Sequence, residues 1–255
     1  MVPASVQKWV VPVGILVLWE IGGQAQALPA YLSVPSTIAA TFWAITSSGE
    51  LVDALEASVY RVYAGYALGA VAGIAIGLGA GLVSPVRSFF APLVSFLYPI
   101  PKIAFLPIFL LMLGLGHGSK IAIIAFSVFF PVFIIAQYSV LSINKLYVWS
   151  AQNMGAPRRT VFFRVIVPAA APQLFAGLRV GLALSFILLF ASELIGARAG
   201  LGYIIVQGEE WVRFDLMFSG IIAFALLGFA SDRVLMWARR RVLKGQVIGT
   251  EEQVV

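Results

Sequence analysis

The residue types of a phosphate-binding loop occur together once, at Gly114-Leu115-Gly116-His117-Gly118-Ser119-Lys120. A loop that cradles phosphates needs G-x-x-x-x-G-K-[ST], so that backbone amides, the lysine and the hydroxyl converge on one anion. Here Ser119 precedes Lys120 and no strand leads into the segment, so it is expected to be an outer turn. No Ser/His/Asp group and no carboxylate pair stands elsewhere, so no catalytic residue is assigned and the chain is not expected to be an enzyme. His117 is the only histidine and there is no cysteine. That excludes disulfides and thiolate metal sites, and no metal ligand set is proposed.

The charge that most needs an explanation is Lys102. It lies in an apolar stretch, Ser88 to Leu113, punctuated by Pro92, Pro99, Pro101 and Pro107. Each proline removes an amide donor and obstructs the carbonyl four residues earlier, so the stretch is expected to be kinked or broken near its middle. Non-helical backbone at that depth is tolerated only where it is buried in protein or lines a watery cavity. A lysine at the bilayer centre costs about 2.5 to 3.5 kcal/mol unless it faces water or a partner. Two readings stand: Lys102 and Pro101 line a pathway that attracts anions, or Lys102 forms a structural pair with Glu193 or Glu20. Glu193 is itself a pathway candidate, or else a hydrated interfacial charge near the outer end of its span.

A third group, Trp149-Ser150-Ala151-Gln152-Asn153-Met154-Gly155-Ala156-Pro157-Arg158-Arg159, is polar and basic yet sits between two apolar stretches. The sequence predicts a short helix ending at Gly155, a turn, and a second helix starting near Pro157, which is favourable at a helix N-terminus. Such an elbow at the membrane surface can dock into a groove on a soluble partner and pass that partner's movement to the flanking spans.

The elements around these groups follow from composition. Hydrophobic residues make up 61% of the 255 and charged residues 11%, and the mean hydropathy is +0.98. Soluble domains are about half apolar, so the chain reads as an all-α membrane protein. Six apolar stretches are expected as spans: Lys8 to Gln24, Arg61 to Val83, Ser88 to Leu113, Ser119 to Leu141, Leu174 to Ile195 and Met217 to Trp237. The first has a second reading as a signal peptide, with Lys8, the apolar run Trp9 to Trp19 and the small-residue pattern Ala25-Gln26-Ala27. Residues 1–245 form one transmembrane domain with an inner loop at 142–173, and 246–255 form a disordered tail. In the outer segment, Ser36 or Thr37 is expected to cap a short helix through Phe42 and Trp43.

Placing the N-terminus inside puts Arg87, Lys145, Arg158, Arg159, Arg164 and the Arg239-Arg240-Arg241 cluster at the cytoplasmic side. The outer side then keeps Arg61, Lys120, Arg198 and Arg213, a strong positive-inside bias. The net charge of +6 therefore speaks for a membrane and not for nucleic acid, which would need basic residues gathered on a solvated face. Gly65, Gly69, Gly73, Gly77 and Gly81 recur every four residues along one helix face. Such a row lets two helices approach closely in lipid, either as plain packing or as a surface that slides during transport.

On its motifs the chain resembles the permease subunits of binding-protein-dependent ABC importers. Their inner loop carries E-A-A, three residues, G, nine residues, I-x-L-P. Ala151, Gly155 and Pro168 match, Val165 and Val167 are conservative, and Trp149 and Ser150 depart from the usual Glu and Ala. Val34-Pro35-Ser36, Pro101 to Pro107, Gly114-Leu115-Gly116, Gly177-Leu178-Arg179, Glu193-Leu194-Ile195-Gly196 and Gly200-Leu201-Gly202-Tyr203 extend the resemblance toward the nitrate, sulfonate and taurine branch. The resemblance implies a type I ABC importer permease fold in the bacterial inner membrane, with a cytoplasmic coupling loop. Ser150, Ala151, Met154, Gly155, Ala156, Pro157, Arg158, Arg159 and Pro168 would meet the ATPase. It also implies a second permease subunit, in a homodimer, two cytoplasmic ABC ATPases that hold the ATP and Mg, and an external solute-binding protein. This chain would bind no cofactor itself. The cargo would be a small anionic or polar organic solute such as a sulfonate, taurine or nitrate. An ion-coupled carrier or channel is the alternative from another class, and a non-transporting scaffold is a further one.

Overall fold

The computed structural model describes residues 4–29 and 31–244, with side chains from Val10 onward. The expected tail 246–255 and the side chain of Lys8 lie outside the described residues. All regular structure in the described residues is helical. The helices are α1 (Ala4–Gln24), α2 (Pro35–Ser47), α3 (Glu50–Leu82), α4 (Ser84–Leu97), α5 (Leu106–Leu113), α6 (His117–Leu141), α7 (Lys145–Asn153), α8 (Arg158–Val161), α9 (Val167–Leu194), α10 (Leu201–Glu210) and α11 (Phe214–Val242). Four helical stretches are long and apolar enough to cross a membrane: α3, α6, Arg158–Leu194 and α11. A fifth candidate is the pair α4 and Lys102–Leu113, bent by 95°. The apolar part of α1, Val10–Gln24, is shorter than these.

The described residues form two compact units, one from those up to Arg61 with Leu189–Leu227, the other from Val62–Leu188 with those from Gly228 onward. The first has a core of Ile45, Leu51, Ala54, Leu201, Ile204, Leu216 and Ala223. Its α2 follows Val34 at the N-cap, with Pro35 in the first turn and no side-chain cap of its own. Ser36 and Thr37 therefore do not cap it. The Glu20 carboxylate, from α1, accepts the Ser36 amide hydrogen at 3.0 Å instead, the favourable placement of an anion at a helix N-terminus. The Gly200–Tyr203 segment opens α10, whose Leu201 and Ile204 are buried.

In the second unit the glycine row of α3 meets α6. A Cβ at Gly65 would stand 2.7 Å from Ile124, at Gly73 2.9 Å from the Phe129 carbonyl oxygen, at Gly77 2.6 Å from that of Phe133, and at Gly81 2.6 Å from Val140. At Gly69 it would collide with the Ala125 carbonyl oxygen. The contacts advance in the same direction along both helices, so α3 and α6 are parallel. The chain must therefore traverse the unit once between them. Phe90 of α4 lies 6.3 Å from Phe133, while Phe105 and Phe109, beyond the bend, lie 5.1 and 5.9 Å from Phe126. The bent pair thus progresses antiparallel to α6, as one broken span and not a re-entrant loop.

Candidate functional site

The elbow begins at Asn144, whose side chain accepts the Leu146 amide hydrogen and caps α7. At the other end Ala156 donates to the Ala151 carbonyl at 3.1 Å and Gly155 to that of Gln152 at 2.9 Å. This pair of bonds, with Gly155 at φ +79°, is the Schellman ending that favours glycine because its left-handed backbone crowds any Cβ. Pro157 then starts α8, which runs through a π turn at Phe162–Ile166 into α9. The widened turn ends two residues before Pro168, whose ring excludes the carbonyl of Arg164 from the regular bonding pattern. The second helix of the elbow is therefore no separate surface element; it is continuous with a span as Arg158–Leu194.

Ala151 is buried with Leu78, Ala136, Val140, Val161 and Ile166, at the end of α3 and α6 where Gly81 meets Val140. Val148 and Ala156 pack beside it, half-buried, and most of the other elbow residues turn outward. Ser150, Pro157, Arg158 and Arg159 are exposed, and Leu146, Tyr147, Trp149 and Met154 present apolar surface, Met154 being 81% exposed.

At the bend, Pro101 precedes a 3₁₀ turn, Lys102–Phe105. The Lys102 ammonium donates to the carbonyls of Leu97, Tyr98 and Ile100 at 2.9, 2.7 and 2.8 Å and sits 4.6 Å from the Phe130 ring centre. Its three donors thus satisfy carbonyls that the break leaves without helical partners. The expected pair with Glu193 or Glu20 is not what the side chains form, since Glu20 is bound to Ser36 and Gln24 and Glu193 has partners of its own.

Glu193 is 1% exposed, so it is not a hydrated interfacial charge. Arg61 Nη1 donates to Glu193 Oε1 at 2.6 Å and to the Ala199 carbonyl at 2.7 Å. Ser58 Oγ lies 2.9 Å from both carboxylate oxygens, the Gly202 amide donates to Oε2, and the Leu201 amide donates to Ser58 Oγ. A buried charge pair is tolerable only when its remaining donors and acceptors are satisfied, and here the backbone of the 199–202 loop supplies them.

Residues 69–244 match the family described as binding-protein-dependent transport system inner membrane component. The chain belongs to this family. The permease is 32% identical to a putative aliphatic sulfonates transport permease, SsuC, of Bacillus subtilis, over 91% of this chain and 85% of that one. It is 30% identical to the taurine transport system permease TauC of Escherichia coli, over 89% and 85%. Its fold matches a solved chain of the MetNI methionine ABC transporter in an inward-facing conformation, with a TM-score of 0.62 at 16% identity, covering 78% of this chain and 97% of that one. The permease is thus a multi-pass inner-membrane transport component with the type I importer fold. Membership of a transport family decides against the scaffold, and nothing in the comparisons favours an ion-coupled carrier.

Two parts of the permease escaped the sequence. The sequence places Arg61 among the outer-side charges, and only proximity across 132 residues reveals its partner. Gln137, the one amide within α6, carried no signal beyond being polar in an apolar run.

Proposed function

We propose that this permease pairs with a second copy of itself and with two cytoplasmic ATPases to import a small organic sulfonate or similar anion handed over by an external binding protein. ATP and Mg belong to the ATPases; residues 150–159 form the surface they push, with Pro168 marking where the push enters the span. The observation that carries the reading is the elbow itself: a helix held by buried Ala151 and half-buried Val148 and exposed on its remaining face, followed by a helix continuous with a span. A displacement of the bend at Gly155 is then a displacement of α9, which is the two-state rocking that alternating access requires. Trp149, 55% exposed where the family pattern has Glu, makes this contact apolar and aromatic instead of carboxylate-based. Pro101 and Lys102 border the pathway at the broken span, and Glu193, the third pathway candidate, holds the 199–202 loop. The sulfonate and taurine permeases among the relatives support the cargo class.

The test exchanges Gly155. Asn tolerates a left-handed backbone and Val does not. Gly155→Val is expected to abolish co-purification of the ATPase and ATP-dependent uptake of taurine or ethanesulfonate, with Gly155→Asn retaining most of both. Full association and uptake in Gly155→Val would remove the elbow from the mechanism.

A further inference from the structure

The second unit contains a cleft of about 460 Å³ bordered by Arg87, Ser95 and Tyr98 of α4 and its C-terminal edge, and by Gln137 and Tyr138 of α6. It reaches the elbow end, since Leu141 also lines it and the neighbouring Val140 packs with Ala151. The Lys and Arg bias assigns that end to the cytoplasm. No carboxylate lines the cleft. Arg87 uses one donor on Ser84 Oγ, at 3.2 Å, and forms no ion pair among the described residues. Gln137 is only 7% exposed, yet its side-chain amide has no hydrogen-bond partner among the described residues while lining the cleft. The amide is not among the fully buried atoms that lack a partner, so it is open to the cleft and its donors and acceptor are available there to a ligand or water.

We propose that this cleft is an anion-binding subsite in the inner half of the permease. An organic sulfonate or carboxylate is held there through its charged oxygens by Arg87 and Gln137, with Ser95 and Tyr98 beside them and its apolar body against Val94 and Phe133. The inference rests on the cargo class proposed above and places a binding step for that cargo after the broken span, on the cytoplasmic side of Lys102. A planar guanidinium is suited to an oxyanion because its N–H groups match two oxygens at once. A buried amide beside it sharpens selection, because a site left with an unpaired polar group discriminates against ligands lacking the matching atom.

The chain has no cysteine, so Ser95→Cys places a single thiol at the cleft. The full chain carrying this change is reconstituted in phosphatidylcholine vesicles and labelled with an anionic reagent, sulfonatoethyl methanethiosulfonate, or a neutral one, hydroxyethyl methanethiosulfonate. With Arg87 present, the ratio of anionic to neutral rate is expected to exceed that of Arg87→Gln by about fivefold, the effect of one charge at short range in a hydrated site. Arg87→Lys keeps the preference, and an unchanged neutral rate shows that each variant's cleft is intact. Millimolar ethanesulfonate slows labelling and 1-propanol does not; Gln137→Leu weakens that protection. An unchanged ratio in Arg87→Gln, or no protection by ethanesulfonate, overturns the subsite. So does protection only when phosphatidylglycerol is added, which makes the cleft a lipid-headgroup site. Uptake by the complete transporter separates the two readings. Protection without sulfonate uptake retains the subsite and removes the cargo; uptake without protection does the reverse.

Discussion

Arg61 and Glu193 meet in a 2.6 Å ion pair whose side chains are 4% and 0% exposed, joining α3 to the end of α9. The pair also closes over its own loop. A Cβ at Gly200, where φ is +117°, would stand 2.6 Å from the Arg61 guanidinium and 2.5 Å from the carboxylate. The loop backbone can approach the two charges this closely only because position 200 has no side chain. The arrangement fixes the 199–202 segment, and with it the start of α10, to α3 and α9.

Removing one partner of a buried pair leaves the other charge uncompensated, at a cost of about 3–5 kcal/mol. Glu193→Ala and Arg61→Met are each expected to lower the stability of the detergent-solubilised permease by that order. The double variant Arg61→Met/Glu193→Leu should lose less than the sum of the two, because no charge is stranded. Additive losses in a thermal or denaturant series would show that the two residues act independently.

Gly73 and Gly79 lie on one helix and provide a matched comparison. A methyl at 73 meets a carbonyl oxygen and Val132 at 2.9 Å, whereas at 79 the nearest atom is Val86 Cγ1 at 3.8 Å. Forcing helices apart costs about 1–3 kcal/mol, while alanine in a helix gains up to about 1 kcal/mol over glycine. Gly73→Ala should therefore destabilise, and Gly79→Ala should be neutral or stabilising, in the same unfolding assay. Equal effects would mean that the α3–α6 contact is looser than the structure has it.

How much of this was legible in the sequence depends on how local its cause is. Gly155 and Pro157 announce the elbow because a left-handed helix ending and a helix start are set within a few residues. The prolines around Lys102 announce the break for the same reason. The glycine row announces close approach but not α6 as the partner, since a small-residue face suits any helix that can reach it. Span boundaries drifted where polarity and helicity disagree. Glu50, Asp53 and Glu56 halt the apolar run, yet all three lie in α3, Glu50 and Asp53 in its first turn, where acidic side chains favour a helix N-terminus. The Arg61–Glu193 pair and the amide of Gln137 were illegible because burial and pairing across long separations leave no periodic trace.

Lys102 allows a test that separates a structural from a transport role. Its ammonium serves three carbonyls at the broken end of α4, and hydrogen bonds to a charged group contribute about 1.5–3 kcal/mol each before mutual overlap. Lys102→Met removes every donor, so a fall in thermal stability is expected together with lost uptake. Lys102→Arg keeps charge and donors and should retain most stability. The informative change is Lys102→Gln, which keeps two amide donors and discards the charge. If the lysine only closes the helix end, Lys102→Gln should track its stability, with uptake reduced no more than folded protein is. If the charge also draws an anion to the bend, uptake at low substrate concentration should fall well beyond the loss of folded protein and recover as substrate is raised. Measuring folded fraction by size-exclusion chromatography beside the concentration dependence of uptake distinguishes the two, and a uniform fall at all concentrations assigns Lys102 to the fold alone.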